Sequence, residues 1–190
     1  MANATPKKFK KTLKQEEAVK LHASPATFIL LSGGSRSGKT FINVRDLIVR
    51  ALKAPNSRHL IARKHFSHVK QSIYYDTFQK VMKICFPALV KDRDYVENKS
   101  DWFIRFNNGS EIWMTGLDTG ERMEKILGNE YCTIYVNEVS EMDWESIEML
   151  KSRLAQKVLY TDTYGTEREL SLKMYFDCNP PSKRHWTYIV

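Results

Sequence analysis

The run Gly33-Gly34-Ser35-Arg36-Ser37-Gly38-Lys39-Thr40 constrains this chain more than any other stretch in it. It has the form Gly-x-x-x-x-Gly-Lys-Ser/Thr, a phosphate-binding loop that works only between a buried strand and a helix. Both flanks are present. Phe28-Ile29-Leu30-Leu31 is a short apolar run that predicts a buried strand. Phe41 to Leu52 has helical periodicity, with Phe41, Val44, Leu47 and Ile48 on one face. Gly33, Gly34 and Gly38 let the backbone curl so that successive N–H groups and the helix N-terminus face the phosphates. Lys39 adds a point charge toward the terminal phosphates, and the Thr40 hydroxyl is a ligand for Mg2+.

The rest of the chain supplies a fold for that loop. Leu13 to His22 reads as a short helix ending before Pro25. Its Gln15 has an amide that donates and accepts, which matches the edge of adenine; a surface glutamine is the other reading. Arg58 to Arg63 is a second strand and Ser67 to Ile84 a second helix, closed by Pro87. Strand alternating with helix predicts a mostly parallel sheet covered on both faces. Arg63, Lys64, His65 and His68 fall at the C-terminal end of that strand, where open α/β sheets place ligands. The two histidines lack a third metal ligand nearby and read as solvent-facing or phosphate-proximal.

Trp102 to Phe106 and Glu111 to Met114 flank Asn107-Asn108-Gly109-Ser110, which predicts two strands around an Asn-Gly turn. Their aromatics read as core, with base stacking as the alternative. Residues 116–128 read as a polar loop carrying Arg122 and Lys125. Tyr131 to Val136 is a strongly apolar strand that delivers Asn137-Glu138 at its end. A carboxylate there can act as general base toward an attacking water, and Glu138 takes that role. Asn137 stands where aspartate is usual; its neutral amide can still hold a metal-bound water. Glu141 is the fallback carboxylate. Trp144 to Ala155 reads as a helix and Thr161 to Glu169 as polar loop. Leu170 to Asp177 is the last strand, and it ends in Cys178-Asn179-Pro180-Pro181. Asn179 suits a strand tip that senses a terminal phosphate; a plain Asn-Pro turn is the other reading.

Length and charge bound the partners. The 190 residues suit one sizeable α/β domain. The net charge is +8, and residues 1–15 hold Lys7, Lys8, Lys10, Lys11 and Lys14 with no acid, so this arm supplies five of those charges. Such an arm fits either a polyanion partner or a solvated tail. No apolar run approaches the ~18 residues of a membrane-spanning helix, and the Lys-rich start lacks the apolar core of a signal peptide. Cys85, Cys132 and Cys178 are odd in number and widely spaced, which fits reduced core thiols in a cytoplasmic compartment.

Taken together, Gln15, the run Gly33 to Thr40, Phe106-Asn107-Asn108-Gly109-Ser110-Glu111-Ile112, Ile134-Tyr135-Val136-Asn137-Glu138 and Asp177-Cys178-Asn179-Pro180-Pro181-Ser182-Lys183-Arg184-His185-Trp186 resemble the ATPase domain of the large subunit of tailed-phage terminases. The resemblance implies a three-layer P-loop NTPase fold of the additional-strand type, with a mostly parallel central sheet and a β-hairpin insertion. The strand leading to Asn179 would lie between the phosphate-loop strand and the Glu138 strand. ATP and Mg2+ are the implied cofactors. Gln15 would contact adenine, Asn179 would face the γ-phosphate, and Arg36 would stabilise transferred charge in cis. Arg122, with Lys125 second, would reach in trans into a neighbour's site. The implied partners are double-stranded DNA, a homo-oligomeric ring, often pentameric, on a portal protein, and the small terminase subunit, in the host cytoplasm and away from membrane. Residues 1–14 are expected to form a flexible basic arm and 15–190 the ATPase domain. The family's nuclease domain has no counterpart in these residues, so no DNA cleavage is expected from this chain alone. Two other classes compete: a small-molecule kinase on the same core, against which Glu138 speaks, and a non-enzymatic nucleic-acid-binding module, for which Asn137 and the basic balance speak.

Overall fold

A computed structural model describes residues 9–118 and 120–188, leaving out the side chains of Glu121, Arg122 and Tyr188. Lys7 and Lys8 of the basic arm, and the Arg122 side chain, therefore lie outside the described residues. A seven-stranded sheet forms the middle layer. Its strands are β1 (Phe28–Ser32), β2 (Arg58–Arg63), β3 (Tyr95–Asn98), β4 (Phe103–Phe106), β5 (Glu111–Gly116), β6 (Thr133–Val136) and β9 (Lys173–Cys178). The spatial order is β1-β9-β6-β2-β5-β4-β3. The first five run parallel; at one edge β4 pairs antiparallel with β5, and β3 antiparallel with β4. A separate hairpin pairs β7 (Leu159–Thr161) with β8 (Glu167–Glu169).

Alternation along the central strands explains why both faces are covered. In β2, Ile61 joins one buried cluster while Leu60 and Ala62 join the other; Tyr135 of β6 opposes Ile134 and Val136 in the same way. The first cluster includes Val44, Leu47, Ile48 and Ala51 of α2 (Lys39–Lys53) and Ile73 and Phe78 of the long helical stretch after β2. The second includes Ile147 and Leu150 of α6 (Trp144–Lys151). Each fully buried aliphatic side chain contributes about 1.5–3 kcal/mol, so the two-sided sheet is the main reservoir of stability. Helix α1 (Leu13–Ala23) starts with a reciprocal cap: Thr12 accepts from Gln15 N–H, and the Gln15 carboxamide oxygen accepts from Thr12 N–H at 3.1 Å.

The helical stretch after β2 divides into α3 (Phe66–His68), a wider π-helical segment over Val69–Phe78 and α4 (Gln79–Cys85). Side chains follow the wider winding: Thr77 Oγ1 donates to the Ser72 carbonyl five residues back at 2.8 Å. Three expectations are corrected. Residues 116–128 contain α5 (Gly120–Leu127), in which Met123, Ile126 and Leu127 share a face and Ile126 is buried. Eight residues among polar neighbours are too short a window to show that period. The Thr161 to Glu169 loop is part of the β7–β8 hairpin, closed by Asp162, which accepts from Tyr164 and Thr166 N–H. Helix α6 stops at Lys151, short of Ala155, because the chain turns there to let Tyr131 N–H donate to the Arg153 carbonyl at 2.8 Å. Tyr95–Asn98 also adds a strand beyond the two expected around the Asn-Gly turn. Among the described residues, no helix is long and apolar enough to cross a membrane.

Candidate active site

Parallel strands in register end at one level, and that level is where the site forms. Ser32 pairs with Cys178, and Leu31 with Asp177. On the other side of β9, Val136 pairs with Phe176. The residues that leave these three tips are therefore neighbours: the phosphate-binding loop from β1, Asn179 from β9 and Asn137-Glu138 from β6. The loop is tied to the β9 tip by Gly33 N–H donating to the Cys178 carbonyl at 3.3 Å.

Within the loop, Gly38 has φ +86, a left-handed conformation that admits glycine without strain, and α2 begins at the next residue. A Cβ on Gly38 would sit 2.7 Å from Gln15 Nε2, so the glutamine of α1 lies directly against the loop. Gln15 lines a cleft with Leu21, Leu30, Gly33, Gly38 and Ile42. Arg36 is exposed at the loop tip with φ 62. The Lys39 ammonium is held at the loop mouth by the Gly33 and Gly34 carbonyls at 2.7 and 2.9 Å, and lies 3.5 Å from Asn179 Oδ1.

The adjoining cleft gathers Arg36, Lys39, Thr40, Lys80, Glu138 and Asn179 along one wall. Glu138 takes a left-handed backbone (φ 51), and its N–H donates to Asp177 Oδ1 at 2.8 Å. Its carboxyl is held above the usual glutamate range, first by burial and then by the charge of Asp177. Arg63, the Asn179 N–H and Lys39 pull the other way. A group balanced like this can take up a proton in a reaction and give it back.

Sequence reasoning missed Asp177. It is fully buried and gathers four donors: Asn137 Nδ2 (2.9 Å) and Glu138 N–H on Oδ1, Thr40 Oγ1 (3.0 Å) and Tyr135 Oη (2.7 Å) on Oδ2. The signal was a carboxylate inside the apolar strand Met174-Tyr175-Phe176-Asp177-Cys178, where an acid is rare unless partnered. Asn137 is buried, and its amide nitrogen donates to Asp177 and, at 3.0 Å, to Tyr135 Oη. Arg63 was singled out only as a basic residue at a strand end. It bridges Ser72 Oγ (3.1 Å) and Glu141 Oε1 (3.4 Å) beside Glu138. Glu141 thus serves an arginine, within the single helical turn Val139–Glu141.

Other singled-out residues stand apart. His65 contacts Asp118 at 3.1 Å and packs edge-on against His68, and no three metal-binding side chains of the His, Cys, Asp or Glu type cluster among the described residues. Lys125 donates to Asp101 at 2.7 Å. Arg122 belongs to α5, away from the loop in sequence, and its side chain is outside the described residues.

A family model described as phage terminase large subunit matches residues 25–190. The chain belongs to this family. It is 26% identical over 162 residues to the PBSX phage terminase large subunit of Bacillus subtilis (strain 168), a match covering 85% of this chain and 33% of that protein. Its fold is similar to that of a large terminase from a thermophilic bacteriophage, with a TM-score of 0.70 at 18% identity over 93% of this chain and 41% of the other. The large terminase ATPase domain of Thermus phage P74-26 superposes with a TM-score of 0.63 at 14% identity, over 95% of this chain and 69% of that one. The chain thus spans about a third of the curated relative's length. The resemblance read from the motifs holds, as does the placement of β9 between the phosphate-loop strand and the Glu138 strand.

Proposed function

We propose that this chain binds ATP with Mg2+ and hydrolyses it as the ATPase domain of a DNA-packaging motor that drives double-stranded DNA into a procapsid. The observation that carries the reading is the meeting of Lys39, Thr40, Glu138 and Asn179 on one cleft at the ends of three parallel strands. Support comes from family membership and from the thermophilic-phage terminase, which has been seen in complex with ATPγS and with ADP. The division into a basic arm over 1–14 and an ATPase domain over 15–190, with work in the host cytoplasm, belongs to the same proposal.

In this reading the Gln15 carboxamide meets the adenine edge while the loop N–H groups and the α2 N-terminus face the phosphates. Lys39 turns from the loop carbonyls toward the terminal phosphates. Glu138 takes the proton of the attacking water as its oxygen bonds to the γ-phosphorus and the bond to the β–γ bridging oxygen breaks. Arg36 in cis and Arg122 from a ring neighbour stabilise the charge that moves, and Asn179 reports the loss of the γ-phosphate through β9. The donor set fits Mg2+, which takes oxygen ligands and prefers phosphates and water to an all-protein cage. Thr40 Oγ1 would hold it together with phosphate oxygens. When bound, the ion neutralises charge on the transferring phosphoryl group. A ring, a portal and a small terminase subunit complete the proposed assembly.

Phosphate release from ATP tests the reading. Wild-type chain releases phosphate, and Lys39→Ala and Glu138→Gln each lower the rate at least ~100-fold, at the lower end of general acid–base contributions. Wild-type rates in both variants would end the hydrolase reading.

A further inference from the structure

The carboxylate of Asp177 is buried and forms no salt bridge with a lysine, arginine or histidine among the described residues. A buried charge of that kind is tolerated when hydrogen bonds saturate it or a cation lies near. Hydrogen bonds do saturate it, and the identity of the donors tells what the group is for. Thr40 has one hydroxyl proton, and it points at Asp177 Oδ2. The oxygen's lone pairs are then left for the opposite side, so Thr40 can act there only as an acceptor or a metal ligand. Asn137 gives an amide proton to Oδ1. An aspartate at 137 would have no proton to give and would set a second negative charge against the first, which two adjacent carboxylates avoid only by sharing a proton. The neutral residue at 137 and the acidic residue at 177 are complements. Glu138 N–H and Tyr135 Oη complete the set, so one carboxylate fixes both the Thr40 hydroxyl and the backbone of Glu138.

We propose that Asp177, and not residue 137, is the carboxylate of the metal side of this site. Asp177 is a positioning residue that orients Thr40 Oγ1 as a Mg2+ ligand, supplies the negative charge next to the ion and aligns Glu138, while Asn137 serves to hold Asp177. The assignment rests on the ATPase reading. It replaces the expectation that Asn137 holds the metal's water.

Binding of a fluorescent ATP analogue, measured in EDTA and again in Mg2+, separates the two levels. The wild-type chain binds in both and binds more tightly with Mg2+; failure to bind in either overturns the ATPase reading, and this assignment with it. Asp177→Asn keeps its affinity in EDTA but loses at least ~10-fold of the Mg2+-dependent gain, because Thr40 no longer faces a charged acceptor. Asp177→Asn with the full Mg2+ gain, even if less thermally stable, would show a purely structural residue and overturn the assignment. Should that variant not fold, a crystal structure of the wild-type chain with Mg2+ and ATPγS decides without it. Thr40 Oγ1 on the metal while still bonded to Asp177 is the expected result, and the Asn137 carboxamide on the metal is the contrary one.

Discussion

Glu138 carries two opposed demands, and its surroundings show both. Burial and the Asp177 charge push its carboxyl upward, while Arg63, the Asn179 N–H and Lys39 restrain it. In the proposed reaction Glu138 is the general base and must be ionised, so activity is expected to fall as pH drops through this raised pKa. The acid limb of kcat/KM against pH, which reports the free enzyme, therefore lies above the ~4.3 of a free glutamate. Arg63→Met removes the largest restraining charge and moves that limb to still higher pH; a limb that stays in place would detach Arg63 from the base. The same shift has a stability consequence of known sign. A carboxyl whose folded pKa is raised contributes stability that is present below its unfolded pKa and is lost as pH rises through the folded pKa. Ionised Glu138 is thus a net cost to the fold at neutral pH.

At the scale of elements, the Asn-Gly hairpin makes the link between sequence and packing testable. Gly109 sits at φ +81 in the turn between β4 and β5, and a Cβ there would collide with the Asn56 side chain. The turn is also braced from outside, with Asn108 Nδ2 donating to the Ala51 carbonyl at the end of α2 at 2.9 Å. Gly109→Ala should cost roughly 1–3 kcal/mol, combining left-handed strain with the collision. In thermal denaturation of a domain this size that is a fall of about 2–12 °C. An unshifted midpoint would mean the turn relaxes freely.

This hairpin was readable because Asn-Gly between aromatic runs has one common meaning, and β6 because Tyr131 to Val136 is a strongly apolar run too short for a helix. The extra strand Tyr95–Asn98 was not readable, since its pattern of one buried and three less buried residues is that of an edge. The Gly33 to Thr40 loop declared itself by its spacing together with its strand and helix flanks. Asp177 did not, because its meaning depends on Thr40, Tyr135 and Asn137, which stand 137, 42 and 40 residues away and meet it only through the order β1-β9-β6. Pairwise chemistry across crossovers is invisible to local pattern; motif chemistry is not.

For the whole molecule, the proposed motor raises the question of how a cleft at one end of a sheet would engage a long polyanion. The net charge of +8 is not spread evenly, since five lysines without an acid fall in residues 1–15. Three of them lie in a segment anchored close to the site: Lys10 and Lys11 fall between Phe9, which packs on Phe41 of α2 with ring centroids 5.2 Å apart, and Thr12, which caps α1, the helix that holds Lys14 and presents Gln15 to the loop. In the proposed motor, Lys10 and Lys11 would carry positive charge to DNA from beside the loop. Each lysine that neutralises a DNA phosphate adds about 0.9 to the steepness with which log K falls against log salt. Replacing Lys7, Lys8, Lys10 and Lys11 by alanine should therefore flatten that slope by up to about 3.6, while phosphate release measured without DNA stays at the wild-type rate. Titrating labelled duplex DNA at several salt concentrations reads the slope directly. A slope identical to wild type would remove the arm from the DNA contact and leave the folded surface of 15–190 to supply it.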